Sequence, residues 1–403
     1  MGHQAERRLS LIESLPVELR LQLLLHAPDI ATLGAMILAC RTFHATYVAS
    51  RERVLYSVTC KDFSQDDPRD FLSAIWSSTR LDVQGDNSRE EVVNFLRLYH
   101  AKEEDGPFRS KGIPLQETFA LMRLRIARDD IIDHFLDHFL EKGYGKKYES
   151  NDGSKIALTV HERRRFHRAI YRWQIYCNIF PSSDSFIGDF FRDLNGSYFD
   201  FDERKSLFFA AFAPWEFDEL MTVIKHVHDT WDILHHYAWT VQLPVFGLQA
   251  VVAPQEGKTN ILDLNPHAAK DVGNMDNIDW LTNQGPHLFH GVISTPCHTR
   301  DFMDLFLDNV NTSSYPVHGV YTAAASIDES PLLFQYLAPL DQHSLAFRGD
   351  DVTDGPNRGW VLMAENWYNT HWQNREYLRV WAVALWDEVT FKSKRIRGFL
   401  PDL

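Results

Sequence analysis

From Pro214-Trp215-Glu216 onward, Phe217, Leu220, Ile224, Val227, Trp231, Leu234 and Ala238 recur at 3.6-residue spacing, which predicts a long helix with one apolar stripe. Asp218, Glu219, Lys225 and Asp229 lie away from that stripe. A stripe of this length has to be buried against other elements. The chain therefore reads as packed helices.

The rest of the sequence repeats the pattern. Asp67-Pro68 leads into Phe71, Ile75 and Trp76, and Ser88-Arg89-Glu90-Glu91 is a capping-box pattern ahead of Val92, Phe95, Leu96 and Tyr99. A longer helix is predicted from Leu115 to Lys142 on Phe119, Met122, Ile126, Ile131, Phe135 and Phe139. A Gly/Lys/Asn/Asp-rich loop over 143–154 and a helix over 158–178 follow, then the loop Pro181-Ser182-Ser183-Asp184. Residues 241–295 are richer in Pro, Gly and Asn and read as irregular. Eleven Trp, 14 Tyr and 27 Phe among 403 residues exclude a disordered linker protein.

The N-terminal segment has its own logic. Pro16 suits a first helical position, and Glu18 follows where the helix dipole favours a carboxylate. Val17, Leu19, Leu21, Leu23, Leu24 and Leu25 are too many apolar residues for one stripe, so this helix is covered on more than one side. Pro28 stops it, and Asp29 to Thr32 supply capping side chains for a second helix. On that helix Leu33, Met36, Ile37, Cys40, Phe43 and Tyr47 fall on one face.

Leu15-Pro16-Val17-Glu18-Leu19, Leu23-Leu24, Leu33 and Cys40-Arg41-Thr42-Phe43 together resemble an F-box, over about residues 11–55. Arg379-Val380-Trp381 with Leu385-Trp386-Asp387, and the Pro214-Trp215-Glu216 helix start, are similar to features of fungal F-box-like proteins. Ala382 and Val383 stand where that C-terminal signature carries a glycine–aromatic pair. The resemblance implies a non-catalytic substrate adaptor. Its partners would be the small adaptor subunit of an SCF-type ubiquitin ligase and a protein substrate, with Leu15, Pro16, Leu19, Leu23, Leu24, Leu33, Cys40 and Phe43 as the matching positions. The competing reading is an intracellular scaffold or ligand-binding protein in which the hairpin is only structural.

The expected fold is thus mainly α: a disordered stretch over 1–10, an F-box-like helical hairpin over 11–55 and a helical domain over 60–240. An irregular, partly β, Trp-rich region over 241–403 is expected to pack on that domain. It holds five tryptophans in its last 44 residues, Trp360, Trp367, Trp372, Trp381 and Trp386, read as core. No repeat period indicates a solenoid or propeller platform.

A formal charge of −14 argues against nonspecific binding to nucleic acid or anionic membrane. Arg163-Arg164-Arg165 with His167, Arg168 and Arg172 reads as a solvated helix face opposite Phe166, Ile170 and Trp173. Cys40, Cys60, Cys177 and Cys297 are too scattered for a zinc knuckle or redox pair. With no leader or membrane span in the sequence, a reduced cytoplasmic or nuclear protein is expected.

No catalytic, cofactor or metal site is expected. His228, Asp232, His235 and His236 have spacings that permit metal binding but are equally explained by imidazole–carboxylate pairing on a helix edge. His134 and His138, beside Asp133 and Asp137, read as facing water while Phe135 and Phe139 are buried. Cys297-His298 is adjacent in sequence only, and Asp350-Asp351-x-x-Asp354-Gly355 lacks EF-hand register and reads as a turn.

Overall fold

A computed structural model describes residues 11, 14–63, 66–81, 88–101, 113–143, 157–181, 199–238, 274–309, 321, 324, 325, 355–361, 382 and 384–388. Among these the fold is mainly α, with no β-strand.

Four short helices come first: α1 (Val17–Leu25), α2 (Ile30–Ala39), α3 (Arg41–Ala49) and α4 (Arg51–Asp62). Leu24, Leu33, Phe43, Val54, Leu55 and Val58 form the small core they share. Asp29 caps α2 by accepting the Thr32 N–H at 2.7 Å. Lys61 of α4 donates to the carbonyls of Leu25 and Ala27, both at 2.8 Å, and so satisfies groups at the C-terminal end of α1. The single face drawn through Leu33 and Tyr47 is corrected: Cys40 is extended (φ −157°, ψ 157°), and the chain turns there into a third helix.

The body contains α5 (Pro68–Thr79), α6 (Ser88–His100), α7 (Leu115–Gly143), α8 (Val160–Ile179), α9 (Phe201–Phe208), α10 (Pro214–Tyr237), α11 (Asn274–Asn283), α12 (Pro286–Ile293) and α13 (Arg300–Asn309). Residues 274–295, read above as irregular, are largely helical. Gly285 joins α11 to α12 at φ +86°, where a Cβ would meet Cys177 and Gln174 of α8 at 3.5 Å. Those are ordinary contact distances, so it is the left-handed backbone that calls for glycine here.

Helix α8 is the axis of the body, packed by α5, α7, α10 and α12. Phe166, Ala169, Ile170, Trp173 and Ile175 are fully enclosed. The α10 stripe is buried as its period demands, with Phe217, Leu220, Ile224, Val227 and Trp231 inaccessible. Residues after 241 join the same core through Ile278, Phe289, Phe302, Trp360 and Trp386. On α7, Ile126 departs from expectation and lies outside, while Leu121 and Leu124 take the core positions.

The arginine run faces water only at its start, where Arg163 is exposed and Arg164 half-buried. Arg165 and Arg172 are buried, as is His167. Arg172 donates to Glu216 at 2.7 Å, and Arg168 grips Glu219 with two bonds of 2.9 and 2.7 Å. Asp218, also expected outside, accepts the Trp360 indole N–H at 2.9 Å. Buried charges persist only when paired, and here α8 and α10 pair theirs across the helix interface.

Asp66 gathers three donors: Arg128 at 2.9 Å, His167 at 2.7 Å and the Tyr171 hydroxyl at 2.6 Å. Burial opposes ionisation of Asp66, but the His167 bond and the charges around it outweigh burial and hold its pKa below the usual value. Burial keeps His167 neutral, so its ring N–H donates to an ionised carboxylate.

Candidate protein-docking surface

The α1–α4 unit divides the motif residues by their position on each helix. Leu24, Leu33 and Phe43 are core. Leu15 and Cys40 are half-buried, and Pro16, Leu19 and Leu23 are exposed. Leu19 and Leu23 are one helical turn apart, opposite the face that carries Leu24 and Leu25, and remain 51% and 44% exposed. Pro16 precedes α1, with its carbonyl accepting the Arg20 N–H at 3.1 Å.

Helix α2 adds a second apolar surface. Its sequence, Ile-Ala-Thr-Leu-Gly-Ala-Met-Ile-Leu-Ala, contains no charged residue. Leu33 points inward, yet Ala31, Ala35, Leu38 and Ala39 are exposed, Leu38 by 85%. Leu19 and Leu23 on α1, beside the exposed Glu18, and Leu38 on the uncharged α2 leave apolar surface on the outside of the unit, where a partner could cover it. The small outer side chains of α2 would let another backbone come close.

The unit is also tied to the body. Leu115, Phe119 and Met122 at the start of α7 pack on its core, and the Arg51 guanidinium lies 5.2 Å from the centre of the Phe119 ring. That contact uses the opposite end of the unit's sequence from the outward leucines of α1.

The other constellations are resolved differently. His228 is buried and stacks on Tyr321 with ring centres 3.8 Å apart. Burial drives its pKa down to about 4. His235 is buried against Phe306, whereas Asp232 and His236 are exposed, so the four do not form one site. His134 and His138 are half-buried rather than facing water: His134 Nδ1 lies 3.1 Å from His226 Nε2 on α10. Sequence reading missed His226 because only the packing of α10 brings it there. Cys297 and His298 are both exposed.

The Trp386-Asp387 turn docks on the first turn of α8. Asp387 accepts from Arg165 at 2.6 Å, and its backbone N–H donates to Glu162 at 2.9 Å. Glu162 also closes a capping box with Thr159. Trp360 and Trp386 are core, while Trp367, Trp372, Trp381, Arg375, Arg379 and residues 350–354 lie outside the described residues.

Among the described residues, no helix is long and apolar enough to cross a membrane. Comparison with protein-family models, with curated proteins and with solved structures returned no match.

Proposed function

We propose that this protein is a non-catalytic, F-box-like substrate adaptor of an SCF-type ubiquitin ligase, working in the cytoplasm or nucleus. Pro16, Leu19, Leu23 and the outer face of α2 contact the small adaptor subunit. Leu24, Leu33 and Phe43 hold the helices that present them. The helical body carries the substrate, whose effective concentration near the ligase rises on docking. The observation that supports this reading is a four-helix unit with its own core that leaves leucines on its outside.

Packing of Leu115, Phe119 and Met122 on the unit favours the second reading, a scaffold in which the N-terminal helices are a fixed part of the body. Co-purification of the full chain with the ligase's small adaptor subunit separates the two. The proposal expects a stable complex that Leu19→Glu/Leu23→Glu abolishes, with helical content and unfolding midpoint unchanged. A folded wild-type chain that fails to bind leaves the scaffold.

A further inference from the structure

Two arginines precede a serine just ahead of the docking face, and we infer that this serine, Ser10, is a phosphorylation site whose phosphate loosens docking. The segment reads Arg7-Arg8-Leu9-Ser10-Leu11, with guanidinium groups three and two positions before the hydroxyl. An Arg-directed serine kinase reads this charge pattern, its acidic substrate groove pairing with cations that never lose their charge. The spacing occurs once in the chain. The other arginine pairs, Arg163-Arg164 and Arg164-Arg165, lead to Phe166 and His167 rather than to a hydroxyl.

Arg7 to Ser10 lie outside the described residues, and their described successor, Leu11, ties them to the docking face. Leu11 is 88% exposed, the most open large apolar side chain among the described residues, which leaves room for an enzyme to close on the chain there. The Ser14 hydroxyl donates to the Leu11 carbonyl at 2.7 Å, a turn that holds Leu11 against the residues leading into α1. Ser10 is one peptide bond further, its Cα about 3.8 Å from that of Leu11. Covalent geometry therefore puts Ser10 beside the entry to α1, where Leu15, Pro16 and Leu19 begin the docking face. Ser14 is exposed too, but Leu11 and Ile12 stand at the places of the two arginines.

Phosphorylation joins the Ser10 hydroxyl oxygen to the γ-phosphorus of ATP while the bond from that phosphorus to its bridging oxygen breaks. ADP leaves, and the hydroxyl proton passes to the catalytic aspartate of the kinase. The product carries a charge of about −1.5 to −2 at neutral pH. Docking strips water from the leucines, and a dianion beside them resists losing its own. Glu18, exposed in the first turn of α1, adds like-charge repulsion. The effect on binding rests on the docking reading above; the modification does not.

The test incubates the full chain with MgATP and an Arg-directed kinase of the cyclic-nucleotide-dependent class, and peptide mass spectrometry locates the phosphate. The expected result is one phosphoryl group, on Ser10, absent from Ser10→Ala and slow to appear in Arg7→Ala/Arg8→Ala. Titrated with the ligase's small adaptor subunit, the phosphorylated chain should bind at least about fivefold more weakly than the unmodified chain, the lower end of usual coupling between sites. Phosphatase treatment should restore the affinity, and Ser10→Ala should bind alike with or without kinase. No phosphate on Ser10, or equal affinity with and without it, overturns the inference. An unmodified chain that does not bind the adaptor subunit removes the docking reading and the switch together, while the peptide masses still report the modification by itself.

Discussion

Arg165 on α8 and Asp387 near the C-terminus meet at 2.6 Å, with both side chains almost wholly buried. The carboxylate also lies by the N-terminal end of α8, where the unsatisfied N–H groups favour negative charge. The C-terminal turn is therefore held by an ion pair, a cap and the packing of Trp386 at once.

Removing one partner strands the other charge in the interior. Asp387→Ala should destabilise the protein by about 3–5 kcal/mol, the cost of breaking a buried pair from one side. Arg165→Met/Asp387→Leu together should cost less than the sum of the singles, since neither charge is then left alone. Urea unfolding of the three variants measures this, and additive losses would show that the two side chains act separately.

Acid should weaken the protein through the buried His228 and the half-buried His100. Burial lowers His228 to about 4. Burial, reinforced by the Arg172 charge, lowers His100 to about 4. The unfolded chain takes up these protons near pH 6.5 while the native state does not, so stability is full above 6.5 and is lost as pH falls from 6.5 towards 4. Each group contributes on the order of 3 kcal/mol at neutral pH. Thermal midpoints measured across that window should fall, and His228→Phe should flatten the slope. An unchanged slope in that variant would assign the acid response to other groups.

The α1–α4 unit predicts a division between residues of similar chemistry. Leu24→Ala and Leu33→Ala should each cost about 2–5 kcal/mol, as buried leucine truncations do. Leu19→Ser and Leu23→Ser, on the outer face, should stay within about 0.5 kcal/mol of wild type. Calorimetry of the four variants checks this. Equal losses would mean that Leu19 and Leu23 are packed, and would remove the docking face.

Local signals carried the fold further than the site. Pro214, Asp67-Pro68 and Asp29 each mark a helix start within their own few residues, and each is where the helix begins. The break at Cys40 has no such mark, because the apolar spacing from Leu33 to Tyr47 runs through it and only the dihedrals interrupt it. The arginines of α8 read as solvated since their partners Glu216, Glu219 and Asp387 lie 44, 51 and 222 positions away. His226 joining His134 across 92 positions is the same kind of long-range fact. Which motif leucines face outward is decided by the packing of α3 and α4, and no spacing rule contains that.

Cys40 suggests a gain in stability. It occupies the N-cap of α3 in an extended conformation, yet its side chain accepts no backbone N–H. Its Sγ lies instead 3.1 Å from the Thr42 hydroxyl. Cys40→Ser puts a good capping acceptor at a half-buried position and should stabilise by about 0.5–1 kcal/mol. A thermal midpoint that falls would show that packing of the sulfur outweighs the cap.

Ala382 sets two backbone effects against each other. Its φ of +54° costs an L-residue about 1–2 kcal/mol by crowding Cβ against the neighbouring carbonyl. The angle is held in place because the Ala382 carbonyl accepts the Leu385 N–H at 2.8 Å, closing the turn that delivers Trp386 and Asp387 to α8. Ala382→Gly relieves the crowding but lets the unfolded chain roam more widely, which returns about 0.5–1 kcal/mol. The methyl is fully buried, so its loss also removes some contact. Relief of the crowding outweighs both losses, and the variant should gain up to about 1 kcal/mol. Ala382→Val should lose more than that, since a β-branched side chain tolerates a positive φ least. Chemical unfolding of both variants gives the comparison, and a Gly variant less stable than wild type would show that the buried methyl outweighs the strain.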